Sequence, residues 1–111
     1  MSGSLPTQLF LLRLKQVWSD PDRVLVAPRD KNLNSMAELE LNMTDVKKMC
    51  LGLVPADLVA GPVPDDKGRA GDVWIFHPVY NGVKMYLKLR LSTAHDTDYL
   101  TIISCHREGM V

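Results

Sequence analysis

The sequence has few of the residues that form the common sites of small proteins. Only two of its 111 residues are cysteines, Cys50 and Cys105, and neither belongs to a CxxC pair. A disulfide framework is therefore not expected, and a reducing, cytoplasmic environment fits better. The sequence also lacks a glycine-rich phosphate loop, a paired-carboxylate motif, a metal-binding cluster and a GxSxG motif. We accordingly expect no metal and no cofactor.

Neither sign of charge is in excess, because 13 lysines and arginines balance 13 aspartates and glutamates. No global field would steer this protein to nucleic acid, although a local basic stripe could still bind it. No run is as long as a membrane span, and the N-terminus has no signal-peptide pattern. We expect one globular domain over residues 1–111, with residues 1–4 either disordered or left over from cloning.

The clearest pattern lies in residues 72–92, where two apolar-rich runs meet at Asn81-Gly82. This dipeptide accepts the positive φ values of a type I′ turn and is the strongest short-range signal for a β-hairpin. A two-residue loop would align Tyr86 with His77. The second run alternates, with one face made of Val83, Met85, Leu87, Leu89 and Leu91. The register places Trp74, Phe76 and Pro78 opposite Leu89, Leu87 and Met85, which defines a core face.

The first half of the chain has helical periodicity. Residues 5–19 predict an amphipathic helix capped by Thr7, and residues 31–41 predict a second helix capped by Asp30. Thr44 is the predicted cap of a third helix. The apolar positions expected to face the core are Leu33, Met36, Ala37 and Leu41 in the second helix, and Val46, Met49, Cys50 and Leu53 in the third.

The remaining segments are less regular. Residues 23–27 predict a short strand or an extended connector, and residues 60–71, rich in glycine and proline, predict a flexible loop. After a polar turn, residues 99–106 predict a third strand antiparallel to the second. The fold class is therefore α+β, with N-terminal helices packed on a C-terminal antiparallel sheet of three or more strands.

The candidate functional residues lie on the polar face of the hairpin and beside it: His77, Lys84, Tyr86, Lys88, Arg90, His106 and Arg107, with Lys67 and Arg69 from the loop. Cations on a sheet with an aromatic among them can hold a phosphate backbone and stack a base. Metal-free RNA cleavage needs a base, an acid and cations around the phosphate. Alternating lysine and arginine are also what the solvated face of an ordinary strand shows.

The face occupied by His106 is open. Cys105 and His106 are adjacent, so only one of them can share the face of Tyr86. Both faces of the predicted strand carry apolar residues, Leu100 and Ile102 on one and Ile103 on the other. Alternation alone therefore does not decide whether Cys105 or His106 shares the face of Tyr86. A β-bulge would change the outcome.

Several segments occur in a recognisable order over residues 9–108: Leu51-Gly52-Leu53, then Asp57-Leu58, Trp74 at the start of a long strand, the Tyr-Leu-Lys run at Tyr86, and Ile-x-Ser before a basic end. This order resembles the MqsR toxins of bacterial type II toxin–antitoxin systems, within the RelE-like ribonucleases. The resemblance implies a RelE-like fold and an endoribonuclease that cleaves mRNA without a metal. It also implies a cognate antitoxin that silences the enzyme; the chain could also form a homodimer.

The resemblance maps the family's tyrosine onto Tyr86 and its C-terminal basic residue onto His106, with Arg107 beside it. The catalytic candidates are thus Tyr86, His77 and His106, and the RNA-binding candidates are Lys84, Lys88, Arg90, Arg107, Lys67 and Arg69.

Two family positions differ. The lysine falls near Ala60, with Lys67 or Arg69 as substitutes, and the glutamine falls on Ile75, with His77 as the nearest polar residue. Either the histidines carry the cleavage, or the protein has become a non-catalytic module that binds protein or nucleic acid through the polar face. A small-molecule enzyme with its pocket between helices and sheet is a third hypothesis.

Overall fold

The computed structural model describes residues 5–109. Within them lie three α-helices, α1 Leu5–Val17, α2 Asp30–Glu38 and α3 Met43–Leu51. The strands of this part are β1 Val24–Val26, β2 Leu58–Pro64, β3 Asp72–Phe76, β4 Val79–Tyr80, β5 Val83–Ala94 and β6 Thr97–Arg107. Short 3₁₀ turns cover Pro21–Arg23 and Pro55–Asp57. The expectation for residues 1–4 falls outside the described residues. No helix between residues 5 and 109 is long and apolar enough to cross a membrane.

The strands form one sheet in the order β1-β6-β5-β3-β2, with β4 paired to β5. The α+β class is confirmed, and the helices precede most of the sheet. The sheet is mixed, however, because β1 runs parallel to β6 while the other pairs are antiparallel. The expectation of a purely antiparallel sheet is therefore wrong at this edge. No tight turn joins β1 to β6, so the connection does not impose an antiparallel arrangement.

The central hairpin has the predicted register. Tyr80 pairs with Val83 across a turn in which Asn81 and Gly82 have φ values of 50° and 78°. Further along, Trp74 pairs with Leu89, and Phe76 pairs with Leu87. A second tight turn joins β5 to β6, where His95 and Asp96 also have positive φ values. Local sequence therefore determines both β-turns.

The helices α1 and α3 cover one face of the sheet. The Phe10 ring of α1 stacks on Trp74 with centroids 4.6 Å apart, and Leu14 is fully buried. From α3, Val46 and Cys50 are also fully buried. Both helices pack on the same face, and we call the opposite face of the sheet, which bears Tyr86, Lys88 and Arg90, the open face.

The predicted helix caps are displaced in the structure. Asn42 caps α3, since its side chain accepts from the Asp45 N–H at 3.0 Å while Asp45 accepts from the Asn42 N–H at 2.9 Å. Asparagine is at least as good a cap as threonine, and the reciprocal pair satisfies two helix N–H groups. Thr44 thus lies in the first turn, Thr7 lies buried inside α1, and Asp30 is the first residue of α2.

The predicted loop over residues 60–71 is wrong in its first part, because β2 extends through Pro64 and pairs with β3. Glycine and proline favour a loop, but an edge strand with register shifts accommodates both. Gly61 has a φ of 121°, and a Cβ there would lie 2.7 Å from the carbonyl oxygen of Val73. The loop that remains covers residues 65–71.

The helix α2 packs on β6 through polar residues. Leu33, predicted to face the core, is 52% exposed, whereas Asn32 and Ser35 are buried. The Asn32 Nδ2 donates to the carbonyl oxygens of Ala27 at 2.9 Å and Ile103 at 3.0 Å, and Oδ1 accepts from the Cys105 N–H at 2.8 Å. The Ser35 Oγ accepts from the N–H of Arg107 at 3.1 Å. These side chains continue the hydrogen bonding of β6 beyond the end of β1.

The segment of β6 held by Asn32 contains a β-bulge. Lys88 pairs with Ser104 and Leu89 pairs with Ile102, so Ile103 has no partner on β5. The extra residue reverses the alternation, and Ile102 and Cys105 are therefore both buried in the core. His106 then pairs with Tyr86 and shares its face.

We expect Asn32→Ala to lower the free energy of unfolding by about 1–3 kcal/mol, because it leaves the buried Cys105 N–H without its acceptor and removes one donor from the Ile103 carbonyl. Urea unfolding measures the change. The matched control is Asn34→Ala on the exposed side of the same helix, which should stay close to wild type. Equal losses in the two variants would refute the role of Asn32.

Candidate functional site

Three rings meet on the open face of the sheet. The rings of Tyr86 and His106 are stacked, with centroids 5.1 Å apart and an interplanar angle of 8°. His77 lies in the link between β3 and β4, and its ring is 5.5 Å from the Tyr86 ring, centroid to centroid, and tilted by 49°. The hairpin register places His77 beside Tyr86, and the bulge places His106 on the other side. The structure thus brings together the three residues predicted to be catalytic.

The two imidazoles differ in their hydrogen bonds. The Nδ1 of His106 lies 3.0 Å from the carbonyl oxygen of Arg107. A carbonyl only accepts, so Nδ1 carries the proton and Nε2 is the acceptor in the neutral ring. The Nε2 of His77 is buried and has no hydrogen-bond partner among the described residues. The Nε2 of His106 is thus a candidate for proton transfer, whereas the buried Nε2 of His77 is out of reach of a substrate in this conformation.

A shallow cleft of about 320 Å³ opens beside the stack, which we call the stack cleft. Its walls are formed by Tyr86, His106, Lys88, Ser104, Arg29, Lys31, Glu108 and Gly109. Three cations and one carboxylate therefore stand beside an aromatic ring and an imidazole. This combination of residues can hold a phosphate group next to proton-transfer groups.

Sequence reasoning missed Arg29. Its Nη1 donates to Ser104 Oγ at 3.0 Å and to the Ile103 carbonyl oxygen at 3.3 Å. The residue follows Pro28 in an irregular connector, so no periodicity marks it. It reaches the site because β1 runs parallel to β6 and the chain emerges beside the bulge. Only the pairing of β1 could have revealed this position.

Two predicted phosphate ligands are already paired with carboxylates. The Nη1 of Arg90 lies 2.6 Å from Asp65, and the two side chains are 11% and 4% exposed. Arg107 lies 2.9 Å from Glu38 of α2. A guanidinium neutralised in this way has less charge to offer a phosphate, so we assign Arg90 to anchoring the 65–71 loop.

The other predicted cations lie on β5 and in the 65–71 loop. Lys84 is exposed in the β4–β5 pair near the hairpin turn, while Lys88 is half-buried. Lys67 and Arg69 are exposed in the 65–71 loop. With Arg29 and Lys88 they line a second cleft of about 270 Å³, which we call the loop cleft.

Comparisons with protein-family models, with curated proteins and with solved structures give no match. The assignment of function therefore depends on the geometry of the site and on the resemblance in the order of segments. In residues 5–109, no group of three or more histidine, cysteine, aspartate or glutamate residues is placed to hold a metal ion.

The contribution of the Asp65 carboxylate to the free energy of unfolding should depend on pH. A hydrogen bond from the Lys67 N–H, and then the Arg90 guanidinium, hold the pKa of Asp65 below its ordinary value against the opposing effect of desolvation. A lowered pKa in the folded state stabilises the fold above the unfolded pKa of about 3.9, and this stabilisation is lost as pH falls through the folded pKa.

We therefore expect Asp65→Asn to lose less free energy of unfolding than wild type when the pH falls from near neutral to below the ordinary aspartate pKa. Asp45 and Asp98 also have lowered pKa values, so some acid dependence remains. Urea unfolding across this range measures the difference. The control is Asp66→Asn at the exposed neighbouring position. An Asp65→Asn profile parallel to wild type would contradict the assignment.

Proposed function

We propose that this protein is a metal-independent endoribonuclease that cleaves mRNA, the toxin of a type II toxin–antitoxin system of the MqsR and RelE-like kind. The observation that carries the proposal is the group of three rings on the open face, in which His106 stacks on Tyr86 and His77 is tilted against it. Unpaired cations beside the stack and the order of the sequence segments support it.

The proposed reaction is an internal transesterification. A general base takes the proton of a ribose 2′-hydroxyl, and the O2′ forms a bond to the adjacent phosphorus. The bond from phosphorus to O5′ breaks, and a general acid protonates the leaving oxygen. The products are a 2′,3′-cyclic phosphate and a free 5′-hydroxyl. The bonds formed and broken and the protons transferred balance without a metal or an external reagent.

The described side chains fit these roles. His106 Nε2, left as an acceptor by the bond at Nδ1, suits the base. His77, at the opposite side of Tyr86, would serve as the acid once its buried Nε2 is exposed by rotation of the ring. Tyr86 provides an aromatic surface for a base or a phenol for proton transfer. Arg29 and Lys88 would stabilise the negative charge that builds up on the phosphate.

The resemblance to the MqsR family also predicts the partners of the proposed toxin. A cognate antitoxin would neutralise the protein in the cytoplasm, and mRNA would be the substrate. An antitoxin that covers the open face would be enough for inhibition, since all three rings lie there. A homodimer is compatible with the same scheme.

A second function is favoured by the burial of His106, which is only 7% exposed. A histidine so enclosed can serve as a structural part of the sheet. The protein would then be a non-catalytic module that binds nucleic acid or protein through the open face. This alternative requires binding that survives the loss of both histidines, with no cleavage.

We expect Tyr86→Ala and His106→Ala each to lower the rate of RNA cleavage by at least about a hundredfold, the usual contribution of a positioned proton-transfer group. The assay uses purified protein and mRNA in EDTA. Expression of wild type in a growing bacterium should slow growth, and the variants should relieve the inhibition. Tyr86→Phe keeps the aromatic ring and removes the hydroxyl, so it distinguishes stacking from proton transfer.

The matched controls are Tyr99→Ala and His95→Ala. Tyr99 is exposed near the start of β6, and His95 lies in the exposed turn before it. Both controls should cleave like wild type. Equal growth in all cultures, with intact transcripts, would refute the toxin proposal. RNA binding without cleavage would favour the binding module.

A further inference from the structure

The arginines of the chain fall into two groups. Four of the six are paired with carboxylates: Arg13 with Asp98, Arg23 with Asp20, Arg90 with Asp65 and Arg107 with Glu38. No described carboxylate lies within 4 Å of the guanidinium groups of Arg29 and Arg69. These two arginines line the same cavity, the loop cleft. The two arginines without an ion pair thus lie at one place, where Arg69 also helps to lower the pKa of Asp65.

The guanidinium of Arg29 is held by neutral acceptors. It donates to the hydroxyl of Ser104 and to the carbonyl oxygen of Ile103, on the bulged part of β6. These bonds orient the group without cancelling its charge. The remaining N–H donors of a guanidinium match the oxygen atoms of a phosphate.

The lysines of the loop cleft add to this charge. Lys67 and Lys88 line the cleft together with Asp65 and Asp66. The Asp65 carboxylate is already bound to Arg90. The loop cleft therefore contains four cationic side chains against one acidic side chain without such a partner, Asp66. An anion is the ligand that this balance favours.

The 65–71 loop is fixed at both ends. Asp65 is bound to Arg90 of β5 at the first end. At the other end Gly71 has a φ of 91°, and a Cβ there would collide with the carbonyl oxygen of Leu91 on the same strand. Only glycine allows this close approach. Lys67 and Arg69 are consequently held above β5.

The two clefts are neighbours. Arg29 and Lys88 line both of them. Tyr86 and Lys88 are two residues apart on β5, about 6.6–6.8 Å along the strand. This spacing is comparable with the distance between successive phosphates of an extended RNA strand. A strand with one phosphate beside Tyr86 would bring its neighbouring phosphate to the loop cleft.

We propose that the loop cleft binds a backbone phosphate of single-stranded RNA next to the phosphate that is cleaved. Lys67 and Arg69 are the ligands of this phosphate alone, Arg29 and Lys88 contact both it and the reacting phosphate, and Arg90 positions the loop. The inference rests on the proposed ribonuclease function and names the substrate contact that lies outside the reacting group. Such a contact is independent of base sequence and depends on salt concentration.

The test measures fluorescence anisotropy with a labelled single-stranded RNA of about 12 nucleotides, within the usual span of single-strand sites. Methylation of its 2′-hydroxyls prevents cleavage. We expect the double variant Lys67→Ala/Arg69→Ala to raise the Kd at least about tenfold, and to flatten the dependence of log K on log salt by roughly 0.7 for each lost contact. Arg29→Ala should act in the same direction, with partial rescue by Arg29→Lys.

The matched control is Lys15→Ala/Lys48→Ala, which removes two exposed cations from α1 and α3. It should keep the wild-type Kd. Because Arg29 also bonds to Ser104, the deciding variant is the one at Lys67 and Arg69, whose side chains are exposed.

The outcomes separate the two proposals. Wild-type protein that neither binds nor cleaves RNA overturns the ribonuclease function, and with it this inference. Wild-type protein that cleaves RNA, with an unchanged Kd and salt dependence in the Lys67→Ala/Arg69→Ala variant, overturns the loop cleft alone.

Discussion

The side chain of Asn32 spans the bulge in β6, and the candidate site depends on that bulge. Three hydrogen bonds join Asn32 to Ala27, Ile103 and Cys105, so the backbone groups exposed by the extra residue remain satisfied. Without the extra residue, strict alternation would place the Cys105 side chain on the open face and His106 in the apolar core. Burying an imidazole without partners is costly, so the bulge suits both the core and the site.

The parts of the fold that are determined locally could be predicted from the sequence. Alternation and the Asn81-Gly82 turn set the whole hairpin register, and with it the contact between His77 and Tyr86. The bulge could not be predicted, because Asn32 binds Ile103 and Cys105 across 71 and 73 positions of the chain. The face of α2 was mispredicted for the same reason: apolar periodicity does not detect a helix that packs through polar side chains.

The positive charges on β5 look equivalent in the sequence, but the structure separates them. Lys88 lines both clefts, whereas Arg90, two residues further along the same face, is bound to Asp65. Alternation assigns residues to a face but does not identify their partners. A net charge of zero likewise conceals a local imbalance, because four carboxylates are each paired with an arginine and only one of them, Asp65, lines the loop cleft. Arg29, in a connector without periodicity, could be assigned to the site only from the structure.

The hydrogen bonding of His77 bears on whether the stack is a site or only a part of the sheet. A histidine retained for packing alone would be expected to satisfy both ring nitrogens when buried. The Nε2 of His77 is buried and unpartnered beside Tyr86, and such an atom costs about 1–3 kcal/mol. A phenylalanine or leucine there would avoid this cost. The Nε of Arg90, which anchors a loop, is likewise buried without a partner among the described residues. The place of His77 in the proposed site therefore depends on its position beside Tyr86 and not on this cost alone.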